Sequence, residues 1–245
     1  MNPKGLQPIF NLAPKDAIEY LKKKGVAITF DWEALSQKAH QIAFTVAGVL
    51  KLDVLTTLRD HTLKAIQKGM TFEDYKNSLG NRFAEAGFSS TFKAKTKSGK
   101  EKIVKLTPSR LENIFRTNIQ SAYNSGRLQQ QQKAIENSDE EMFYLYNATL
   151  DKRTRPSHKK LDGLCLPVSD PIWKKIYPPN GFRCRCSVSL ISATQAKQLG
   201  VKIRSKAPSA APDKGFEGQP TGDYEPDLKG YDGALLKQFK KEQSK

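Results

Sequence analysis

The sequence predicts an α+β protein: a mainly helical N-terminal half, and a small antiparallel β-sheet packed on a long helix in the C-terminal module. Three observations predict this class. Apolar residues recur at helical spacing through much of residues 1–90. A further helical pattern runs without a break from about residue 108 to 137. Two stretches rich in aromatic and β-branched residues, 141–150 and 184–192, flank a long irregular segment and predict strands.

The N-terminal region, residues 1–90, contains several amphipathic stretches. The first, "KDAIEYLKKKG", places Ala17, Ile18 and Leu21 on one stripe and ends at Gly25. Thr71 and Asp74, in "TFED", form a capping box that predicts the start of another helix. Between these stretches we expect two long helices, with buried faces formed by Leu35, Ala39, Ile42, Ala43 and Val46 in the first and by Leu55, Leu58, Leu63 and Ile66 in the second.

Residues 91–106 have a different pattern from their neighbours. Two alternating runs flank Ser98-Gly99, so the segment predicts a β-hairpin inserted between helices. Its lysines indicate a solvent-exposed face, and contact with DNA or a partner is the alternative interpretation.

The long helix opens a module that we expect to span residues 107–204. Pro108 suits the first turn, and Ser109 with Glu112 forms a capping box. The predicted buried stripe consists of Leu111, Ile114, Phe115, Ile119 and Ala122, and a second, polar row consists of Arg116, Gln120, Tyr123 and Arg127. This row predicts polar contacts to a loop of the same fold or to a partner. Residues 205–245 predict an extended arm and a basic tail.

The second predicted strand, "CRCSVSLIS", follows "PPNGFR" and holds two of the three cysteines. Side chains alternate between the two faces of a strand. Cys184, Cys186, Val188 and Leu190 are therefore expected to point to one side, and Arg183, Arg185, Ser187 and Ser189 to the other.

Composition narrows the class of protein. Lys and Arg number 41 against 25 Asp and Glu, for a formal net charge of +16, which attracts nucleic acid or an acidic protein partner. Three cysteines, an odd number, argue against a secreted disulfide framework. The sequence contains no apolar run long enough for a membrane span and no signal-peptide core, so we expect a cytosolic protein that does not bind membranes.

The irregular segment between the strands, residues 151–186, concentrates residues capable of chemistry. The ligand types of a Cys3His zinc site are present in this segment, supplied by His158, Cys165, Cys184 and Cys186. Their spacing departs from that of the usual zinc knuckle. Free cysteines also serve as small buried apolar residues, and packing beside Val188 is the simpler interpretation. The sequence leaves both alternatives open.

Two enzymatic interpretations use the same segment. Cys184 or Cys186 can act as a nucleophile with His158 as base. A nuclease would instead place His158, Asp151 and Asp162 around a metal ion, or use them as acid and base.

A structural interpretation makes the segment a lid held by polar contacts. Asp151 and Asp162 can accept hydrogen bonds from Arg153 and Arg155, or from arginines of the long helix. Trp173 and Tyr177 would fill the core beneath, Pro178-Pro179 would stiffen the approach to the strand, and Gly181 would permit the turn.

Three motifs in this order, "RTNIQSAYNSGR", "LDKRTRPSHKKLDG" and "DPIWKKIYPPNGFRCRC", resemble the phage Mu F-like family of minor head, or head-morphogenesis, proteins. The stretch from "DAIEYLKKKG" onward is similar to the region that precedes this domain in Mu-type members. Carried over by motif position, the family residues here are Arg116, Asn118, Gly126, Arg127, Asp151, Arg153, Thr154, His158, Asp162, Gly163, Trp173, Pro178, Pro179, Gly181, Cys184, Arg185 and Cys186.

The resemblance implies a non-enzymatic protein without a cofactor, with zinc on His158, Cys165, Cys184 and Cys186 as an open alternative. Its implied place is inside the phage head, after assembly in the host cytoplasm. Its implied partners are the portal protein and capsid or scaffold proteins, with nonspecific DNA contact.

Overall fold

The computed structural model describes residues 15–26, 43–44, 46, 52–95, 101–216 and 218–219. These residues divide into two compact units, one formed by residues 15–17 and 120–219 and the other by residues from 18 to 119. The four regions predicted from the sequence (1–90, 91–106, 107–204 and 205–245) stay a prediction about domain organisation. The predicted α+β class is confirmed by the mixture of helices with small sheets.

The unit of residues 18–119 begins within helix α1, Lys15–Lys23, and continues into strand β1, Gly25–Val26. Strand β2, Ala43–Phe44, pairs with β1 in parallel. The prediction of a helical face through Ala43 and Val46 is therefore wrong, because the short apolar run around Phe44 instead pairs with β1. The rest of that predicted helix lies outside the described residues.

Helices α2, Leu52–Lys68, and α3, Phe72–Glu85, form the apolar centre of this unit. Leu55, Leu58 and Leu79 are fully buried, in agreement with the apolar spacing of the sequence. The capping box predicted at Thr71 is present: its hydroxyl accepts from the backbone N–H of Asp74, and the Asp74 side chain accepts from the backbone of Thr71.

The predicted hairpin is present as two antiparallel strands. These are β3, Thr91–Lys95, and β4, Glu101–Lys105. Phe92 and Val104 face each other on the buried side, whereas Lys93 and Ile103 are exposed. The expected turn at Ser98-Gly99 lies outside the described residues.

Helix α4, Pro108–Glu136, is the long helix predicted from the sequence. The residue that caps its N-terminus differs from the predicted one. The backbone N–H of Arg110 donates to the Thr107 side chain at 3.3 Å, so Thr107 is the N-cap. The capping box predicted at Ser109 is wrong, because the helix begins at Pro108 and Ser109 therefore lies inside its first turn. The Glu112 carboxylate accepts from Arg116, one turn further on, at 2.7 Å.

The other unit is built on a three-stranded antiparallel sheet in the order β6-β5-β7. Its strands are β5, Met142–Asn147, β6, Cys165–Pro167, and β7, Ser187–Ser192. Between them lie two one-turn helices, α5, Pro156–Lys159, and α6, Trp173–Ile176; helix α7, Ala193–Gln198, follows β7. Helix α7 begins with a capping box: the Ser192 hydroxyl accepts from the backbone N–H of Gln195, and the Gln195 side chain accepts from the backbone N–H of Ser192.

Each face of this sheet carries its own apolar cluster, because successive side chains of a strand point to opposite sides. We call the first the loop-side cluster: Leu128, Tyr144, Tyr146, Leu161, Leu164, Leu166, Trp173, Ile176, Tyr177, Cys184, Cys186 and Val188. The second, the far-side cluster, contains Phe143, Leu145, Cys165, Ile191 and Ala196. Leu128 of α4 belongs to the loop-side cluster, so the long helix packs on that face, as predicted.

Residues 205–216 form no helix or strand, and the described chain ends beyond them at residue 219. Phe216 is buried with its ring edge-on to Phe182, at 4.9 Å between centroids. The predicted basic tail lies outside the described residues. In the described part of the chain, every helix is too short or too polar to cross a bilayer.

Candidate functional site

The segment between β5 and β7, residues 148–186, is closed at its two ends by an ion pair. Arg185, just before β7, donates from Nη1 and Nη2 to the two carboxylate oxygens of Asp151, each at 2.6 Å. The backbone N–H of Arg153 and the Thr154 hydroxyl also donate to Asp151, at 2.9 and 3.2 Å. These contacts, the two-pronged Arg185 bond above all, hold the pKa of the Asp151 carboxyl well below its usual range.

The arginine contacts differ from those that the sequence suggested. Arg153 is mostly exposed, and its Nε lies 3.7 Å from Asp151. Arg155 instead donates to the Phe182 carbonyl at 3.1 Å and pairs with Asp213 at 3.2 Å. The Asp162 carboxylate accepts from the backbone N–H of Ala148 at 2.8 Å and so fastens the start of the segment.

Trp173 and Tyr177 fill the core beneath the segment, as the structural interpretation expects. The Trp173 indole is buried against Tyr144, and its Nε1 donates to the Pro167 carbonyl at 3.0 Å. The Tyr177 hydroxyl donates to Gln131 of α4 at 2.8 Å. Each buried polar tip therefore has a partner, which lowers the free-energy cost of its burial.

Polar side chains of α4 bind the backbone at the start of β7. Gln120 and Asn124 donate to the Cys186 carbonyl at 3.0 and 3.4 Å, and Gln131 donates to the Val188 carbonyl at 2.8 Å. Sequence reasoning singled out Gln120 but missed Asn124 and Gln131. Their separations from Gln120, four and eleven residues, place all three amides on one helix face and are the signal that could have found them.

The remaining motif residues of α4 have separate environments. Arg116 is bound to Glu112, and Asn118 donates to the Ile114 carbonyl at 2.9 Å. Burial lowers the pKa of the Arg127 guanidinium. The position of Gly126 leaves no room for a side chain, since an added Cβ would lie 2.9 Å from the Ala17 backbone nitrogen.

Two glycines of the segment have backbone roles. Gly163 adopts a left-handed φ of 72°, and its N–H donates to the Tyr146 carbonyl at 2.9 Å. At Gly181 an added Cβ would clash with an Asp213 carboxylate oxygen, so the absence of a side chain makes room for the Arg155–Asp213 pair. Pro178-Pro179, just before Gly181, is joined by a cis peptide bond.

His158, Cys184 and Cys186 come together under the segment. Their potential ligand atoms all lie within 4.8 Å of one another, and all three residues are buried. His158 Nδ1 lies 3.7 Å from Cys186 Sγ, while its Nε2 has no hydrogen-bonding partner among the described residues. The Tyr146 hydroxyl contacts Cys186 and accepts from Asn180 at 2.9 Å.

The two thiols share a hydrogen bond and affect each other in opposite directions. Donation from Cys184 lowers the pKa of Cys186, and contacts with His158 and Tyr146 act in the same direction. The bond to Cys186, followed by burial, raises the pKa of Cys184. The pair therefore loses its first proton more readily than its second.

The structure does not bring all the predicted ligands together. Cys165 belongs to the far-side cluster, because it pairs with Leu145 on the opposite face of the sheet, so the expected four-residue set does not form. Nor do Asp151 and Asp162 join His158 in a group of metal ligands within the described residues. Their carboxylates hold the two ends of the segment instead.

The family model for the Phage Mu protein F like protein matches residues 56–189, which is more than half of the chain. The chain therefore belongs to the phage Mu F-like family, as its three motifs predicted.

Two curated relatives are similar to most of the chain. It is 36% identical over 193 residues to the putative capsid assembly protein F of Escherichia phage Mu, covering 78% of this chain and 43% of that protein. It is 41% identical over 179 residues to the Mu-like prophage FluMu F protein of Haemophilus influenzae, covering 73% of this chain and 42% of that protein. The chain spans less than half the length of these relatives. No solved structure matches it.

Proposed function

We propose that this protein is a minor component of the head of a Mu-like phage or prophage, where it associates with the portal and assists head assembly and DNA packaging or delivery. The observation that carries the proposal is the 36% identity, over 193 residues, to a protein named as a putative capsid assembly protein. Membership of the phage Mu F-like family supports the same role.

The contacts of the motif residues favour a structural role over a catalytic one. Asp151 and Arg185 bind each other, Asp162 binds backbone, and Trp173 fills the core. Groups engaged in this way hold irregular backbone in place, because they satisfy polar atoms that would otherwise be buried without partners. A rigid platform of this kind suits a protein that docks on a larger assembly.

Positive charge supports a position close to packaged DNA. Lys152, Lys159 and Lys160 are exposed on the closed segment, while the nearby Asp151 and Asp162 are occupied by internal contacts. Lysines presented in this way bind phosphates without reading sequence, and such binding weakens steeply as salt rises.

Incorporation into heads is the direct test. The tagged chain would be expressed with the portal, scaffold and major capsid proteins of the same phage or prophage, and the purified procapsids analysed by quantitative mass spectrometry. We expect the chain in procapsids, and its loss when the portal gene is deleted. Incorporation that does not depend on the portal would overturn the portal association, and absence from procapsids would overturn the whole proposal.

DNA contact is tested by fluorescence anisotropy on duplexes of unrelated sequence at several salt concentrations. Replacing Lys152, Lys159 and Lys160 with Gln should reduce the salt slope by about one unit for each lysine that contacts phosphate. The matched control replaces Lys197, Lys202 and Lys206, which are exposed outside the segment. Equal effects of the two triple variants would contradict a role for this segment.

The competing enzymatic hypothesis has an equally direct test. Purified protein would be incubated with single-stranded and duplex DNA and a divalent metal ion. We expect no cleavage above that of a mock purification. Cleavage that disappears in His158→Ala would replace the structural role with a catalytic one.

A further inference from the structure

We propose that His158, Cys184 and Cys186 bind one zinc ion, which links the two ends of the segment between β5 and β7. These three residues are the one group of three or more His, Cys, Asp or Glu with converging ligand atoms in the described residues. The proposal rests on their geometry and does not depend on a role in head assembly.

The distances suit zinc without large movements. Zinc binds thiolates at about 2.3 Å and imidazole at about 2.0–2.1 Å with tetrahedral angles, which separates a coordinated sulfur from a coordinated nitrogen by roughly 3.6 Å. His158 Nδ1 and Cys186 Sγ are 3.7 Å apart. All three ligand atoms lie within 4.8 Å of one another, so small side-chain adjustments complete the set.

The surroundings leave the His158 ring with few partners. His158 is 2% exposed, and its only hydrogen-bonding contact from the ring in the described structure is the one to Cys186. A buried imidazole usually has polar partners for both nitrogens, because an unsatisfied polar atom is costly away from water. A zinc ion bound at Nδ1 would give that nitrogen a stronger partner than a thiol, and two thiolates would cancel the charge of the ion inside the core.

The fold presents the cysteines as a pair of ligands. Arg183 adopts a left-handed φ of 57°, which turns the chain immediately before Cys184. The Arg185 side chain is held on the opposite side by Asp151, so the flanking Cys184 and Cys186 both point into the loop-side cluster. His158 approaches from α5, and one position of a tetrahedral site remains for a small ligand such as water.

Metal content tests the proposal on the full chain, purified without chelator from zinc-supplemented cells. Elemental analysis should find about one zinc per chain. Cys184→Ser and Cys186→Ser should each lower the retained zinc by on the order of tenfold or more, since both remove a direct ligand. Cys165→Ser is the matched control, because Cys165 is as deeply buried as the other two cysteines but lies in the far-side cluster.

Zinc below about a tenth of an equivalent in the unmodified chain would overturn the proposal, since buried structural sites stay occupied. Equal losses of zinc in Cys165→Ser and Cys186→Ser would do the same. Alkylation followed by mass spectrometry supplies a third outcome: a Cys184–Cys186 disulfide in the purified chain would replace the metal site with a redox pair.

Cobalt binding can be measured on the unmodified chain, so this test stands even if a variant fails to fold. The unmodified chain would be stripped of metal with a chelator and titrated with Co²⁺. We expect thiolate-to-cobalt charge-transfer bands and the intense visible bands of a tetrahedral site. Added zinc should displace the cobalt and abolish these bands. Circular dichroism of each variant identifies any that fail to fold. Weak octahedral bands alone, or bands that persist in folded Cys186→Ser, would contradict the assigned ligands.

Discussion

The two faces of the three-stranded sheet are made by the same strands, yet they are closed by different means. On the far side, Phe143, Leu145 and Ile191 pack with Ala196 of α7 in a small apolar cluster. On the loop side, large aromatic rings are joined by hydrogen bonds to α4 and to the irregular segment. The difference arises from what covers each face. The far side is covered by α7, whereas the loop side is covered by α4 together with a largely irregular segment, which must find partners for its polar atoms.

The three cysteines illustrate this difference. Cys165 lies on the far side among apolar neighbours, where burial raises the pKa of its thiol. Cys186 lies on the loop side, where Cys184, His158 and Tyr146 contact its sulfur and lower its pKa. Cysteine therefore packs as an apolar residue on one side of the sheet and belongs to a polar cluster on the other.

The largest effect should follow truncation of the aromatic core on the loop side. Trp173→Ala removes a side chain that is 1% exposed, leaves a cavity, and removes one of the two hydrogen bonds that the Pro167 carbonyl accepts, the other coming from the backbone N–H of Asp170. We expect the free energy of unfolding to fall by about 3–5 kcal/mol, measured by urea denaturation at neutral pH. Lys174→Ala, exposed in the same helix, is the control and should change it by less than about 0.5 kcal/mol. A loss for Trp173→Ala no larger than that of the control would break the contrast between the faces.

The next effect tests the polar contacts themselves. Gln131→Ala removes the partner of both the Tyr177 hydroxyl and the Val188 carbonyl, and so leaves two buried groups without a partner from α4. We expect a loss of about 2–4 kcal/mol in the free energy of unfolding. Gln132→Ala changes the same residue type at the next, exposed position and should be nearly neutral. If the two variants unfold at the same urea concentration, the amide contacts do not stabilise this face.

The apolar patterns of the sequence predicted α2, α3, α4, the hairpin strands, β5 and β7, because such patterns are local. They missed β6, Cys165–Pro167, which lies inside the segment predicted to be irregular and pairs with β5. They also failed at Ala43–Phe44, where pairing with the distant β1 decides the conformation. The four-residue zinc interpretation put Cys165 with the other cysteines, but residue type says nothing about which face of the sheet a residue of a separate strand will occupy. The contacts of Asn124 and Gln131 depend on tertiary placement and were visible only as helical spacing.

A smaller effect is expected on the far side. Ile191→Val removes one methylene from a residue that is 3% exposed, without touching a polar contact. The free energy of unfolding should fall by about 0.5–1.5 kcal/mol in the same urea assay. The exposed Ile103 in β4 supplies the matched control, because Ile103→Val makes the same change where little surface is buried. A loss above about 3 kcal/mol for Ile191→Val would show that the far side is as sensitive to truncation as the loop side.

The smallest effect concerns pH and the ion pair that closes the segment. Arg185 holds the pKa of Asp151 below its ordinary value, so the folded state binds the proton less readily than the unfolded state does. The resulting stabilisation is fully present above the unfolded pKa of about 3.9 and is lost as pH falls through the lower folded value. Stability should therefore decline below about pH 4, and Asp151→Asn should flatten that decline, because the amide does not titrate.

Urea midpoints of the two proteins between pH 7 and pH 2.5 would measure this change in slope. Asp139→Asn makes the same substitution at an exposed carboxyl outside the segment and should keep the profile of the unmodified chain. Arg185→Lys retains the charge but cannot make both hydrogen bonds, so its profile should fall between the two. If Asp151→Asn loses stability in acid as steeply as the unmodified chain, the ion pair does not contribute to closing the segment. The loop side would then depend on its buried contacts alone, as the far side does.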